Sequence, residues 1–475
     1  MEDLVRYGLK VAENLGAEYV EGRFQSDVHE TLVLKNGVPE VSSYVKLRGI
    51  SIRVLYRGSM GFASTNFMDR NSVKEAAEKA FRLAKAVERN LNPKIELSEE
   101  NFESRRLEVK PKVDFADIDL ESKFKTLIEI DRSSMSGAEE AGGKLPARIL
   151  TLNCSVTEKT VINSDGADVH STTPKIALNA FLTAYQPQKG TAQRYLSLGE
   201  TAGWESMKKW KPHELLRSEA SILAKIVLEA REPPSGKLDV VLGPEVVGIA
   251  CHESCGHPSE ADRILGREAA QAGETYLKPD SIGMKVGSRK VTVVDDPTIP
   301  SSFGFYLYDD EGVRARKRIL VKEGVINEFL HNRETARRFG VSSNASSRAN
   351  SYDREPIVRM ANTYLEPGDY SLEELLEDVK DGVYIKKFME WNIDDRRFNQ
   401  RYVGLESYRI EDGELKELVK NPALEVTTVG LWSAVDAVGK DLEFQAAYCG
   451  KGDPMQGIPV WTGGPSIRLR GIVLR

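Results

Sequence analysis

Arg231-Glu232-Pro233-Pro234-Ser235-Gly236-Lys237-Leu238-Asp239-Val240-Val241-Leu242-Gly243-Pro244-Glu245 is the stretch that divides the chain. A helix running into Arg231 cannot continue through Pro233-Pro234, because proline lacks the amide donor and pushes its predecessor out of the helical region. Leu238 to Leu242 reads as a buried strand. Pro244 then takes the favoured first position of a helix, and Glu245 sets an acid beside the positive end of its dipole. The main boundary falls here. It separates an N-terminal α/β domain of helices and hairpins, residues 1–235, from a β-rich C-terminal domain, residues 236–475, that carries the helix opened by Pro244. The fold class is α+β.

Upstream, residues 2–15 are helix-like, and strand alternation begins at Ala17-Glu18-Tyr19-Val20. Asn36-Gly37 between apolar runs signals a tight hairpin, and Arg57-Gly58 marks a second turn. An amphipathic helix follows, with Ser72 as cap, Glu75 completing a capping box, and Val73, Ala77, Phe81, Ala84 and Val87 on one face. Residues 91–117 read as a connection. A helix from about Asp117 turns Leu120, Phe124, Leu127 and Ile128 inward, strands occupy roughly 148–187, and another helix starts near His213. From about residue 290 the pattern is mostly β, with hairpin turns at Glu323-Gly324 and Asp412-Gly413.

The 475 residues are too many for one ordinary core, and 40% hydrophobic with 29% charged residues is a globular balance. The net charge of 66 − 72 = −6 is spread without long single-sign blocks, so no direct nucleic-acid partner is expected. No run approaches the roughly 18 apolar residues that cross a bilayer, and Met1 to Arg6 does not open a signal sequence. A cytoplasmic location is expected, with no membrane partner. Four cysteines do not make a disulfide framework, which leaves core thiols or metal ligands.

Two of the six histidines stand five apart in Cys251-His252-Glu253-Ser254-Cys255-Gly256-His257. The familiar zinc-peptidase helix spaces its histidines by four, with a glutamate after the first. Five steps at about 100° each point the rings roughly 140° apart on a regular helix. A π-bulge would absorb the extra residue, or the helix ends at Gly256 and lets His257 fold back; Gly256 followed by Pro258 favours the second. Glu253 is then a candidate general base beside a metal-bound water. Two histidines are one ligand short of a catalytic zinc site. Cys251 and Cys255, four apart, are either soft ligands or small packing residues.

The segment Ile249-Ala-Cys-His-Glu-Ser-Cys-Gly-His-Pro-Ser-Glu-Ala-Asp262 resembles the signature of the TldD/PmbA family, known as metallopeptidases and as gyrase modulators. Asp309-Asp310-Glu311-Gly312, the hairpin from Ile319 to Ile326, Arg359-Met360-Ala361-Asn362-Thr363-Tyr364, Tyr448-Cys449-Gly450-Lys451-Gly452 and Thr462-Gly463-Gly464-Pro465 follow in the same order as the family's blocks. The likeness covers essentially the whole chain and is most specific between 245 and 475. One block departs: Ser343-Asn344-Ala345-Ser346-Ser347-Arg348 stands where the family often has a Gly-Asn-Gly-Arg-type loop.

The resemblance implies a third zinc ligand at Cys449 and a TldD-type chain, the paralogue that keeps both histidines and the glutamate. It also implies a dimer, with a second copy or with a TldE/PmbA-type subunit, that shields the site in an internal cavity. The expected function is a zinc-dependent peptidase acting on unfolded or short peptides through a metal-activated water. The alternative is a non-catalytic protein-binding modulator, for example of a topoisomerase, with a structural zinc site. Arg348, Arg354 and Arg359 are candidates to meet a peptide carboxylate or carbonyl, with a structural role as the other reading. Glu260 and Asp262 are the next bases after Glu253.

Overall fold

The computed structural model describes residues 1–90, 92–268 and 273–475; Leu91, at the start of the expected connection 91–117, lies outside the described residues. The chain is a mixed helix and sheet protein, 41% strand and 25% helix. Its strands form three large sheets. The seven-stranded sheet is built from the first 200 residues, in the order Ser59–Thr65, Val38–Tyr56, Tyr19–Lys35, Ala147–Asn163, Asp168–Gln186. Ser104–Glu108 and Gly190–Glu200 both pair with the last of these, one along each half of its length.

Hairpin turns lie where two-residue positive-φ signals stand. Asn36 (φ 49°) and Gly37 (φ 79°) join two strands of 17 and 19 residues, and Glu323-Gly324 and Asp412-Gly413 repeat that geometry. The helices Glu2–Asn14 and Arg70–Val87 pack one end of this sheet through Val5, Leu9, Val73, Ala77 and Phe81. Leu120–Glu140 and Pro212–Glu229 cover the other end.

Three local expectations need correction. The second helix is capped by Asp69, not Ser72: the Asp69 carboxylate accepts the Ser72 amide at 3.0 Å and its hydroxyl at 2.8 Å, so the stronger acceptor one turn earlier takes the cap. Val87, the last residue of that helix, is exposed beyond the edge of the packed face. Leu120 is also exposed, because it is the first residue after the Asp119 cap and the inward face begins only one turn later, with Lys123 and Phe124.

Among the described residues, those beyond 235 form a six-stranded sheet, a nine-stranded sheet and a short two-stranded one. Gly236–Leu242 lies inside the nine-stranded one, parallel to Asp381–Ile385 and antiparallel to Ile467–Leu474. The chain leaves this strand through Gly243 and enters the helix Pro244–Cys251. That helix is sandwiched between the two sheets. Val246, Val247, Ala250 and Cys251 share one core with Val240, Leu242, Ile385 and Leu469 on one side and Val293, Val321 and Leu365 on the other. Gly248 permits the contact: a Cβ there would sit 2.9 Å from the Gly463 amide nitrogen. At the helix start, Glu245 receives Arg194 of the seven-stranded sheet in a bidentate pair at 2.6 and 2.7 Å, which fixes the helix to the N-terminal half.

Candidate metal centre

The two histidines converge because the helix widens. The amide N–H of His257 donates to the carbonyl of His252, a five-residue turn spanning His252–Gly256. An i→i+5 turn absorbs the extra residue, so position five returns to the face of position zero. The imidazoles end 4.8 Å apart between ring centroids, edge to face. The expected helix end at Gly256 is therefore incorrect. Gly256 has φ −66° and the backbone continues helically through His257–Ser259. Its lack of a side chain serves packing: a Cβ would lie 2.1 Å from Met360 Sδ. The wide turn is also stitched by Ser254, whose hydroxyl donates to the Ala250 carbonyl at 2.6 Å and accepts the Trp432 indole N–H at 2.8 Å.

Cys449 arrives from the antiparallel hairpin Glu443–Lys451 and Gln456–Gly464. Its Sγ lies 3.5 Å from His257 Nε2. His252, His257 and Cys449 each offer one donor atom, all within 4.8 Å of one another, and all three residues are buried. Tetrahedral zinc with Zn–N near 2.0–2.1 Å and Zn–S near 2.3 Å needs N···S separations of about 3.5 Å, so the observed pair fits such an ion. His252 Nδ1 is buried without a hydrogen-bond partner, as in a pocket shaped around a ligand.

Electrostatics separate the cysteines. Burial pushes the Cys255 and Cys154 thiols up to about 12 and Cys251 well above the ordinary thiol range. Burial opposes ionisation of Cys449 as well, but the His257 imidazole and the Arg359 guanidinium more than offset it, and its pKa falls. Burial lowers both histidines and so favours the form with a lone pair available. Among the four cysteines, Cys449 is the one poised as a soft anionic donor.

Around the donors lies a shell in which Glu260 and Asp262, expected only as bases next after Glu253, take positioning contacts, together with residues the sequence did not single out. Glu260, fully buried, meets His257 Nδ1 at 3.0 Å. Burial alone would raise its pKa, but Lys451, His257 and Arg263 hold it well below the usual carboxylate range. Lys451 spans Glu260 (3.5 Å) and Asp262 (2.7 Å), and Arg263 reaches Glu260 at 3.3 Å. The carboxylates of Glu260 and Asp262 are thus engaged by cations. Arg397 hydrogen-bonds Glu253, whose pKa is raised by burial in spite of His252 and Arg397. Arg397 comes from a turn with φ 61°, and no local signal in Asp394-Asp395-Arg396-Arg397 points to the helix 144 residues away.

Each of the three arginine candidates is engaged within the chain. Arg359, fully buried, donates to the carbonyls of Cys449 and of Gln456 (2.8 Å), one on each strand of the Cys449 hairpin. Arg348 donates to the carbonyls of Met360 (2.6 Å) and Pro459 (3.1 Å) and stacks over Tyr306. Arg354 pairs with the adjacent Asp353.

Comparisons with known proteins agree along the whole chain. Residues 235–475 match the family model for the PmbA/TldA metallopeptidase C-terminal domain, 113–232 its central domain, and 20–84 its domain 1. A metalloprotease of Methanocaldococcus jannaschii is 31% identical, with 95% of this chain and 96% of that protein covered. A zinc metalloprotease TldD homolog of Saccharolobus solfataricus is 25% identical, with 97% of each covered. Among solved structures, a putative modulator of DNA gyrase from Thermotoga maritima superposes with TM-score 0.77 at 22% identity over the whole of both chains. TldE of Thermococcus kodakarensis does so with TM-score 0.74 at 18% identity, covering 100% of this chain and 99% of that one.

The class these matches define is a metallopeptidase. Within it, the chain belongs to the PmbA/TldD family.

Proposed function

We propose that this protein is a zinc-dependent peptidase in which His252, His257 and Cys449 hold the metal and Glu253 is the general base. The observation that carries the reading is the convergence of two buried imidazoles with a buried thiol, 192 residues beyond His257 in sequence, beside a buried carboxylate. Zinc, when bound, supplies a Lewis acid that brings the pKa of a coordinated water to about 7. The chain's own residues do the rest. Glu253 takes up the proton of the attacking water and delivers it to the leaving amine, a role suited to a carboxyl whose pKa burial has raised. Arg397 holds that carboxyl in one orientation. Glu260 on Nδ1 orients the His257 ring so that Nε2 faces Cys449 and the centre.

A closed structural site, as a non-catalytic modulator would carry, needs a fourth protein ligand. Cys255 is the nearby thiol, and its high pKa and contact with Ser254 suit packing. Unfolded chains and short peptides are the proposed substrates, reached in a dimer cavity formed with a second copy or a TldE/PmbA-type subunit. Selection by access explains how a peptidase without a separate recognition module spares folded proteins. The chain is proposed to divide at 235/236 into a helix and hairpin domain and a β-rich domain carrying the metal helix. Among the described residues, no helix is long and apolar enough to cross a membrane.

The test is Glu253→Gln. It should keep zinc while peptide hydrolysis falls by about 10² to 10⁴. Near-normal turnover would assign the base elsewhere.

A further inference from the structure

On the other side of the Cys449 hairpin a cavity of about 400 Å³ lies between the seven-stranded sheet, the loop Phe303 to Asp310 and the hairpin itself. Strand alternation creates it. Leu150, Leu152 and Leu178 turn into the N-terminal core, while Ser155, Thr157, Thr173 and Lys175 on the same strands face the cavity. The opposite wall is aromatic: Phe303, Phe305, Tyr306 and Tyr448. Tyr448 pairs across the hairpin with Pro459, and both line the cavity; Cys449 is not among the lining residues. The cavity is therefore separate from the metal centre.

Three cations converge on it. Lys159 is neutralised by Asp310 at 2.8 and 3.0 Å. Lys175 and Arg348 are not: among the described residues, neither has a carboxylate within ion-pair distance. Lys175 donates to the Thr201 hydroxyl at 2.7 Å and the Phe303 carbonyl at 2.6 Å, which leaves one ammonium N–H unused. Arg348 uses neutral carbonyls, and is close enough for its charge to disfavour that of Lys175. Burial and these like charges push the Lys175 ammonium well below its ordinary range. Of the acids on the walls, Glu30 pairs with Lys123 at 2.6 Å, Asp309 accepts the amides of Glu311 and Val313 at 3.0 and 2.9 Å, and Glu108 is exposed, 3.9 Å from Lys110. Asp310 also accepts from the Ala349 amide at 2.6 Å, and Asp27 is held by Gln25 at 2.8 Å and Thr157 at 2.7 Å. Lys175 and Arg348 thus face a cavity with an aromatic wall and have no ion-pair partner among the described residues, and an anion between them would favour the charge that burial disfavours.

We propose that this cavity binds a small organic carboxylate of roughly dipeptide size. Its anionic group sits between Lys175 and Arg348, and its apolar body lies against Phe303, Tyr306 and Tyr448. The site does not depend on the metal centre, so its test can fail while peptide hydrolysis stands.

The probe is 3-phenylpropionate, titrated calorimetrically into the zinc-loaded full-length protein. Its uncharged amide and inorganic phosphate are run in parallel. The acid should bind, with the amide weaker by about tenfold or more, because a charge-assisted contact is lost. Lys175→Gln should weaken the acid by a similar factor while the melting temperature reports that the variant folds. His257→Ala should leave binding intact. Three results would each overturn the proposal: equal binding of acid and amide by the wild type, unchanged affinity in Lys175→Gln, or loss of binding in His257→Ala, which would place the carboxylate at the metal. Phosphate binding without the acid would also overturn it, in favour of an inorganic anion site. The acid and amide comparison needs no variant, so a Lys175→Gln protein that fails to fold still leaves the proposal decided.

Discussion

Removing Glu260 separates a fixed imidazole from a loose one. Its carboxylate meets His257 Nδ1 at 3.0 Å and is itself gripped by Arg263 and Lys451 at 3.3 and 3.5 Å. Without it, the His257 ring loses the partner that fixes its tautomer and orientation. Such outer partners are typically worth 10- to 100-fold in metal affinity, about 1.4–2.8 kcal/mol. Glu260→Ala should lie near the hundredfold end. Glu260→Gln keeps an acceptor for Nδ1–H but loses the charge, and should lie near tenfold.

The fold should survive Glu260→Ala. Breaking a buried ion pair costs roughly 3–5 kcal/mol when it strands a charge. Here Lys451 keeps Asp262 at 2.7 and 2.9 Å and the Val358 carbonyl at 2.8 Å, so the cost falls below that range. Zinc competition against a chromogenic chelator measures the affinity, and urea unfolding of the zinc-free protein measures the stability. Zinc affinity within about twofold of wild type in Glu260→Ala, with the fold intact, would refute the claim that Glu260 positions the ligand.

Cys449→Ala should lose zinc, whereas Cys251→Ala and Cys255→Ala should keep it, since only the Cys449 thiol is driven toward the anion; metal analysis of the purified variants reads this directly. Arg397→Met removes a cation that opposes the burial-driven rise of the Glu253 pKa, so protonation of the base should persist to higher pH. The acidic limb of the kcat/KM profile should accordingly move upward, and an unmoved limb would mean that Arg397 does not act through Glu253. A permanently unfolded substrate should be cleaved much faster than the same protein stably folded, because entry to an enclosed site costs the several kcal/mol needed to open a domain. Equal rates would show an open site.

Local features of this molecule were legible because their causes are local. The turns at Asn36-Gly37, Glu323-Gly324 and Asp412-Gly413 need only residues that tolerate positive φ. Pro233-Pro234 stops a helix by its own covalent geometry, and Pro244 begins one. The histidine pair with Glu253 marked a candidate for metal chemistry, which only the family resemblance made specific. What the sequence left open was how five residues make one turn. That choice is settled by tertiary contacts: Met360 needs the empty side of Gly256, and Trp432 anchors Ser254 from 178 residues away.

Cys449 belonged to the candidate ligands through a family resemblance, since nothing in its own surroundings distinguishes it from Cys255. Only the pairing of its hairpin, clamped by Arg359, carries its sulfur to His257. Arg397, Glu260 and Lys451 follow the same logic. Charged residues are common on any surface, and their roles arise when folding buries them, because a buried charge must find its partner and the partner's place in the chain is set by sheet register. The sequence by itself determined the main turns, the break at Pro233-Pro234 and the candidate ligands on the helix opened by Pro244. The tertiary structure alone decided which distant thiol, carboxylate and guanidinium meet there, because those contacts are fixed by long-range packing and leave no periodic trace in the chain.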